Sequence, residues 1–302
     1  MVELRATAEN TFERAYAGDV YNTAVYLKRS LPDARVQFLT AVGDDATSRA
    51  MRNAWHLDGI DDAFAFTVEG GLPGLYLIET DACGERRFQY WRSNSAARRW
   101  LSLLQAQGES ILWGADIIYF SGIALAILNL NDRSRAIELL RRVRTHVGRI
   151  VFDPNVRLAL WETAQIAAKT IESALSICDI ALPSSEDIAR LFRLEEPGQQ
   201  ANLLLAMGVR ELAITLGSSG CLVVDGEVRT RLPAPTVDIV ADTSGAGDAF
   251  NGAYLAARLC GGSAEEAAQA GLMVGSRVVT HAGAIVPKSI SHPRDSGCLR
   301  SL

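Results

Sequence analysis

From about residue 100 onward, short apolar runs alternate with longer stretches of helical periodicity. The run ADIIYFSGI is followed by the helical pattern RSRAIELLRRVRTHVG, and then by the run RIVFDPN. Two further runs, CDIALPS and ELAITLGSSG, continue the alternation, and these runs end in polar residues or glycine. Strand–helix–strand order of this kind predicts an α/β fold with a mostly parallel sheet covered by helices on both faces.

The polar ends of the predicted strands indicate where a ligand would bind. In open parallel sheets, ligands bind beyond the carboxyl ends of the strands. We therefore expect a binding site at that edge. By this reasoning the edge carries Asp153, Asn155, Ser184, Thr215 and Gly217.

The segment from about 62 to 97 has a different pattern, because GLYLIETDACGERRFQYWR is typical of a β-hairpin. A three-residue loop ending in glycine would place Tyr76 opposite Tyr90 on one face, with Arg92 further along it. Aromatic strand faces ordinarily pack against their own domain. An arginine in line with two tyrosines instead favours a wall over a polar ligand, so both interpretations stay open.

Near the start of the chain, AGDVYNTAVYLKRSL predicts a helix with Asp19 as its N-cap. Gly18 directly before it would let a ligand approach the backbone at the helix N-terminus. Helix capping alone would explain both residues, so this stretch by itself does not establish a binding site.

Composition and charge exclude several classes of protein. The 302 residues are 48% hydrophobic with a net charge of −5 and no long basic run, so nucleic acid is not an expected partner. Five scattered cysteines without a C-x-x-C motif favour neither a disulfide framework nor a zinc site, and they favour a reducing compartment. There is no signal-peptide pattern and no apolar run of about 18 residues. We expect a cytoplasmic protein that does not enter the membrane.

The stretch ADTSGAGDAF precedes a helical pattern that runs from Asp248 through Leu259. Small residues at a helix N-terminus allow backbone N–H groups to point at an anion, and the helix dipole adds positive potential. Asp248 could be only a favourable first-turn acid, but that leaves the glycines unexplained. A phosphate on the N–H groups, with Asp248 taking the proton of an incoming hydroxyl, explains both. The Walker-type G-x-x-x-x-G-K-[ST] motif and a G-x-G-x-x-G motif opening a βαβ unit are absent from the sequence.

DTSGAGDAF, followed by GGSAEEAAQAG and HAGAIVP, resembles the carboxyl-terminal signature of the ribokinase-like (PfkB) carbohydrate kinases. Within that family, GDVYNTAVYL, LTAVGDD, PGLYLIETDACGERRFQYWRSNSAAR, FSGIALAIL and FDPNVRLALW resemble segments of the 2-keto-3-deoxygluconate kinases. These segments cover most of residues 17 to 287. The resemblance implies a single ribokinase-like domain over residues 1–302, with a small β lid over the sugar at about 62–97.

The resemblance also implies a role for each matching residue. Asp248 would be the base that deprotonates the sugar hydroxyl, next to an anion hole made by Gly245, Ala246 and Gly247. The sugar acid would be bound by Gly18, Asn22, Tyr76, Tyr90, Arg92 and Arg157. The nucleotide would be bound by Ser184, Thr215, Gly217 and Gly220. Arginine can pair with both oxygens of a carboxylate, which a neutral sugar lacks.

The implied activity is ATP-dependent phosphorylation of the terminal hydroxyl of 2-keto-3-deoxygluconate, with Mg²⁺ on the ATP phosphates. A kinase of a neutral sugar such as fructose or ribose is an alternative, although Arg92 and Arg157 argue against it. Members of the family often associate through their lids, so a homo-oligomer is also implied. PSSED matches the Asn-x-x-Glu metal-related motif of the family only loosely, so no metal ligand is assigned.

Two further departures from the family pattern concern the amino-terminal part. Family members begin with a strand of the type ILVIGE ahead of the segment that matches MVEL, whereas this chain starts at Met1. On this basis a catalytically impaired sugar-binding protein is a second alternative, and the intact Asp248 argues against it. Ala17 stands where a glycine often precedes Gly18, which would crowd the sugar slightly.

Overall fold

The computed structural model describes residues 1–8, 11–80 and 86–291. The strands are β1 Val2–Ala8, β2 Thr11–Tyr16, β3 Thr40–Gly43, β4 Ala65–Val68, β5 Leu75–Thr80, β6 Arg86–Trp91, β7 Ile117–Ser121, β8 Arg149–Asp153, β9 Ile180–Ala181, β10 Glu211–Thr215, β11 Cys221–Asp225 and β12 Val228–Leu232. The α-helices are α1 Asp19–Ser30, α2 Ala46–Leu57, α3 Trp100–Gln107, α4 Gly122–Ala126, α5 Leu130–Val143, α6 Ala164–Leu175, α7 Ser185–Phe192, α8 Pro197–Ala206, α9 Ala246–Leu259, α10 Ala264–Val278 and α11 Lys288–Ser291.

The central sheet has six strands in the spatial order β12-β11-β10-β9-β8-β7. Strands β7 to β10 are parallel, and β11 and β12 extend the sheet as antiparallel neighbours. This arrangement confirms the predicted mostly parallel sheet. Each of the four apolar runs after residue 100 forms a strand, although CDIALPS contributes only the two residues of β9.

Helices cover both faces of this sheet, and strand β8 shows how. Ile150, Val151 and Phe152 are all fully buried. Ile150 and Phe152 pack into a core cluster with residues of α5 and α6, whereas Val151 packs into a cluster with residues of α9 and α10. Because successive side chains point to opposite faces and both faces are covered, the strand is continuously apolar rather than alternating.

Strands β3 and β4 form a separate parallel pair next to helix α2. Asp45 caps α2 by accepting two N–H groups of its first turn. Trp55 of α2 packs against Phe38 with ring centroids 5.0 Å apart and against Tyr21 of α1 at 6.1 Å. This aromatic cluster, in which Trp55 and Tyr21 are buried, fixes helix α1, which carries Gly18 at its N-terminus.

A second sheet, which we call the lid, has the order β2-β1-β5-β6. In it Tyr76 of β5 pairs with Tyr90 of β6, which is the predicted register. The predicted loop at 82–84 lies outside the described residues. The segment 62–97 divides between two sheets, because β4 pairs with β3, and the lid includes β1 and β2, which the sequence pattern did not indicate.

The two faces of the lid differ in chemistry. Glu3 pairs with Tyr76, which pairs with Tyr90, so these three side chains share one face. Leu77 of β5 and Trp91 of β6 lie on the opposite face, since side chains alternate along each strand. Trp91 is 54% exposed. The lid therefore has one face with acidic and phenolic groups and another that is partly apolar.

Helices α1 and α9 pack closely because a glycine lies between them. A Cβ at Gly252 would be 2.6 Å from the carbonyl oxygen of Thr23 and 2.7 Å from the backbone nitrogen of Leu27. Both obstacles are backbone atoms, which cannot rotate away. The close contact holds the N-termini of the two helices side by side at the edge where the strands end.

We expect Gly252→Ala to lower the free energy of unfolding by about 1–3 kcal/mol, because the added methyl forces the two helices apart. Urea denaturation would measure the change. Gly247→Ala is the matched control on the same helix, because a Cβ there would meet no atom within 4 Å. Equal stability of Gly252→Ala and the natural protein would contradict the close packing of α1 on α9.

Among the described residues, no helix combines the length and the apolar character needed to cross a membrane. Cys178, Cys221 and Cys260 are free thiols, and the first two are buried. Cys83 and Cys298 lie outside the described residues.

Candidate active site

The first turn of α9 is open toward the edge where the parallel strands end. Gly245 is the N-cap and has a φ of 75°, and a Cβ there would lie 2.4 Å from the carbonyl oxygen of Ala284. Only glycine therefore fits at this position. The space around a Cβ at Gly247 is empty to 4 Å. The N–H groups of a first helical turn have no helical carbonyl to bond, so this end of the helix suits an anion.

Asp248 lies in this first turn, since α9 begins two residues earlier than the pattern predicted. Its Oδ2 accepts a hydrogen bond of 2.7 Å from the side-chain amide of Asn22, a residue 226 positions away in sequence. Burial, followed by the charge of Asp19, raises the pKa of Asp248 to about 7, while Asn22 and Arg157 act in the opposite direction. A carboxyl group with a pKa near neutrality is well matched to accept a proton from an alcohol.

The prediction that Asp19 caps helix α1 is wrong. Gly18 is the N-cap, with a φ of 147°, and Asp19 is the first helical residue. The N–H of Gly18 donates to Oδ1 of Asn22 at 3.2 Å, and the carboxylate of Asp19 accepts from the side-chain amide of Asn155 at 3.0 Å. Because Asp19 bonds across to another element instead of to its own first turn, its charge faces Asp248.

Two arginine side chains face these carboxylates. The guanidinium carbon of Arg92 lies 4.2 Å from the centroid of the Tyr90 ring. Burial lowers the pKa of Arg92. The charge of Asp19 raises this pKa and the charge of Arg157 lowers it, so Asp19 and Arg157 both lie near Arg92. Arg157 is half exposed, with Nη1 at 4.0 Å from a carboxylate oxygen of Asp187. The predicted pair of arginines is therefore brought together from the lid and the loop after β8.

Tyr76 belongs to the same lid face, as predicted, and its ring centroid is 5.8 Å from that of Tyr90. The hydroxyl of Tyr76 donates to Glu3, which also accepts from Arg5 at 2.9 Å. Burial raises the pKa of Tyr76, and the charge of Glu3 acts in the same direction. Sequence reasoning missed Glu3 because the pattern of β1 was not recognised as a strand.

The four residues predicted to bind nucleotide lie at one end of the central sheet. Ser184 and Thr215 form a parallel bridge, and the Ser184 hydroxyl caps α7 by accepting the N–H of Asp187 at 3.1 Å. Gly217 has a φ of 59° with no atom within 4 Å of a Cβ, so it leaves an open surface. At Gly220 φ is 101° and a Cβ would lie 1.9 Å from a backbone oxygen of β12, so only glycine fits there.

An exposed apolar patch near the start of α9 was not predicted. Ile239 and Val240 are 74% and 57% exposed. The two N–H groups that follow Val240 donate to the carbonyl oxygen of Val279 at 2.8 and 3.1 Å, so this loop runs along the end of α10. Apolar surface beside an anion site is what a nucleotide base requires.

A buried polar cluster lies below Asp248. Asp153 and Asn155 were predicted at the end of a strand, and the structure places them there. The side-chain amide of Asn251 donates to Asp153 at 2.9 Å and to the hydroxyl of Tyr119 at 3.2 Å. Sequence reasoning missed Tyr119 and Asn251, because each lies in an apolar run that gives no sign of its partners.

The sequence of this chain is similar to those of known carbohydrate kinases. A protein-family model described as pfkB family carbohydrate kinase matches residues 2–290. A 2-dehydro-3-deoxygluconokinase of Escherichia coli (strain K12) is 37% identical over 294 residues, which covers 95% of each chain. The 2-dehydro-3-deoxygluconokinase of Dickeya dadantii (strain 3937) is 39% identical over 293 residues, covering 95% of this chain and 94% of that one.

The fold also matches solved structures. The crystal structure of aminoimidazole riboside kinase from Salmonella enterica, complexed with aminoimidazole riboside and an ATP analog, superposes with a TM-score of 0.81. It shares 23% sequence identity with this chain, and the match covers 96% of this chain and 93% of that one. At that level of identity the likeness is one of fold.

Proposed function

Because this chain belongs to the pfkB family of carbohydrate kinases, we propose that it transfers the γ-phosphate of ATP to the terminal hydroxyl of 2-keto-3-deoxygluconate. The product is 2-keto-3-deoxy-6-phosphogluconate. The observation that carries the proposal is the contact of 2.7 Å between Asn22 and Asp248, which holds a carboxyl group with a pKa of about 7 in an open first helical turn.

In the proposed reaction, Asp248 takes the proton of the sugar hydroxyl as that oxygen attacks the γ-phosphorus. The bond from the γ-phosphorus to the bridging oxygen breaks, and ADP leaves with the electron pair. The N–H groups at Gly245, Ala246 and Gly247 stabilise the charge spread over the phosphoryl oxygens. Because these groups are fixed by the helix, no reorganisation is needed when the charge develops.

The sugar acid is assigned to the space between the lid and the loop after β8. Arg92 and Arg157 supply two guanidinium groups for its carboxylate, and bidentate pairing is the strongest form of that contact. Tyr76 and Tyr90 supply ring faces, while Gly18 and Asn22 lie beside the hydroxyl to be phosphorylated. Both relatives reported above are named 2-dehydro-3-deoxygluconokinase, and this name supports an acidic sugar as the substrate.

ATP is assigned to the edge with Ser184, Thr215, Gly217 and Gly220, with its base against the apolar patch at Ile239. The described residues contain no group of three ligating side chains that could hold a metal ion alone. Mg²⁺ keeps several waters and commonly binds through substrate phosphates with few protein ligands. Bound Mg²⁺ would neutralise charge on the phosphates.

A coupled assay of ATP consumption tests the proposal. The panel should contain 2-keto-3-deoxygluconate, gluconate and 2-ketogluconate, with fructose and ribose as neutral sugars. We expect the highest kcat/KM for 2-keto-3-deoxygluconate, with phosphate on its terminal hydroxyl by mass spectrometry. A folded protein that consumes no ATP with any of these sugars, or that prefers a neutral one, would contradict the proposal.

The activity should depend on pH through Asp248. The base must be deprotonated, so kcat/KM should fall tenfold for each pH unit below about 7. Asp19→Asn removes a charge that raises the pKa of Asp248, so the midpoint should move to lower pH. Measurement of kcat/KM from about pH 5 to 9 checks both statements. A midpoint near the ordinary pKa of aspartate in the natural protein would show that another group limits the rate.

We also propose a homodimer formed through the apolar face of the lid. Phe12 on the edge strand β2 and Trp91 are 52% and 54% exposed, and they lie on the same face as Leu77. Large exposed apolar side chains on a sheet with a free edge commonly mark an association surface. Light scattering should give the dimer mass for the natural protein and the monomer mass for Trp91→Ser. A monomeric natural protein would contradict this.

Free thiols at Cys178 and Cys221 support a cytoplasmic location.

A further inference from the structure

Asp153 is a buried carboxyl group that the proposed reaction does not use. It is the last residue of β8 and is 8% exposed. Its Oδ1 accepts the N–H of Asn155 at 2.9 Å, and its Oδ2 lies 2.9 Å from the amide nitrogen of Asn251 and 3.4 Å from the hydroxyl of Tyr119. One side chain thereby joins a strand, a loop and a helix.

The contact between Asp153 and Asn251 influences the position of Asp248, the proposed base. Asn251 lies three residues after Asp248 on α9, so both side chains are on the same side of the helix. Asn251 is 2% exposed and contacts Tyr119 as well as Asp153. Holding Asn251 therefore sets the rotation of the first turn of α9, and with it the direction in which Asp248 points.

The contact between Asp153 and Asn155 influences the residues proposed to bind the sugar acid. Asn155 has a φ of 31°, in the left-handed region that residues with a side chain seldom adopt, although Asn tolerates it best. Oδ1 of Asp153 holds this turn by bonding its N–H, and the side chain of Asn155 in turn bonds Asp19. Arg157 follows two residues later, so the same turn determines where its guanidinium group lies.

The surroundings of Asp153 are acidic. It faces Asp248 from α9, Asp19 from α1, Asp187 from α7 and the Tyr119 hydroxyl from β7. Burial, followed by the charges of the three aspartates, raises the pKa of Asp153 well above its usual range, and the N–H of Asn155 only partly opposes this. A buried carboxylate among other carboxylates is unfavourable, and the three donors around Asp153 offset part of that cost.

We propose that Asp153 is a positioning residue whose two carboxyl oxygens hold the first turn of α9 and the Asn155 turn at a fixed spacing. Through these two contacts it aims Asp248 at the hydroxyl and Arg157 at the sugar acid. The inference rests on the proposed function, because Asp248 and Arg157 are the groups that it positions.

Two substitutions test the proposal. Asp153→Asn has the shape of the neutral acid, and side-chain amides can turn so that donors meet acceptors here. We expect it to keep kcat within about threefold of the natural value, with the acidic limb of the pH profile unmoved. Asp153→Ala leaves Asn251 and Asn155 unheld, so kcat should fall about 30-fold and the KM for the sugar acid should rise, while the KM for ATP is unchanged.

A matched control lies at the amino ends of the strands of the same sheet, directly before β9. Asp179 accepts the N–H of Ile150 at 2.9 Å and pairs with Arg144 at 2.6 Å, so its role is structural. Asp179→Asn should lower Tm without changing kcat or the KM for the sugar acid. This pattern separates a loss of stability from a loss of positioning.

Two results would overturn the inference: Asp153→Ala with natural kcat, or Asp153→Asn as impaired as Asp153→Ala. If Asp153→Ala does not fold, the kcat of Asp153→Asn and its KM for the sugar acid still decide. Failure of the natural protein to phosphorylate any sugar would instead reject the proposed function.

Discussion

Asp248→Asn should lower kcat by about 10³-fold while the KM for the sugar acid and for ATP change little. The amide has nearly the same shape as the carboxylate, and its oxygen can still accept the hydrogen bond from Asn22. It cannot take up the hydroxyl proton, so the attacking oxygen stays a poor nucleophile. Steady-state kinetics with 2-keto-3-deoxygluconate and ATP would measure the effect.

Asp45→Asn is the control for this experiment. Asp45 is another carboxylate at a helix N-terminus, where it accepts two N–H groups of α2, but it lies outside the site. Its replacement should reduce Tm and leave kcat unchanged. Turnover by Asp248→Asn at the natural rate would show that a different group accepts the proton, and the assignment of the base would be wrong.

Arg92→Leu should lower kcat/KM for the sugar acid by about 100-fold and leave kcat/KM for a neutral analogue nearly unchanged. The analogue should carry an alcohol in place of the carboxylate. Arg92 projects from the lid face beside Tyr90 and near Arg157, so its guanidinium group can bind both carboxylate oxygens. The loss is specific to the acid because only the acid offers a charge to pair.

Two further variants sharpen the comparison. Arg92→Lys keeps the charge but loses the planar fork, so its effect on the acid should be intermediate. Arg35→Leu removes an exposed arginine whose partner is Asp61, far from the proposed sugar site, and should change neither substrate's kcat/KM. If Arg92→Leu lowered kcat/KM equally for the acid and the neutral analogue, Arg92 would support the lid and would not bind the carboxylate.

Parts of the site follow from local sequence. The run RIVFDPN predicts a buried strand with polar residues at its end, and the structure has β8 ending at Asp153. Glycine at 245 predicts a tight approach at a helix N-terminus, and the φ of 75° shows the reason. Tyr76 opposite Tyr90 follows from the turn length and the alternation of strand side chains. Each of these predictions is made from one continuous segment of the chain.

Other features depend on partners that are distant in the chain. Asp19 has the sequence signature of an N-cap, yet its carboxylate bonds Asn155, 136 residues away. Strands β1 and β2 add to the lid because β5 offers β1 a parallel partner, and no local signal in their own residues identifies that partner. The polar role of Asn251 depends on the end of β8 lying opposite α9.

The amino-acid sequence alone determined the α/β class, the open helix end at Gly245 and the identity of the acid beside it, because backbone conformation and side-chain period are set over short distances. The tertiary structure decided which carboxylates share the site and which of them are buried together. Charges act through space and pKa values respond to burial. The pKa of Asp248 is therefore raised to about 7 only once α1, β8 and α9 have packed against one another.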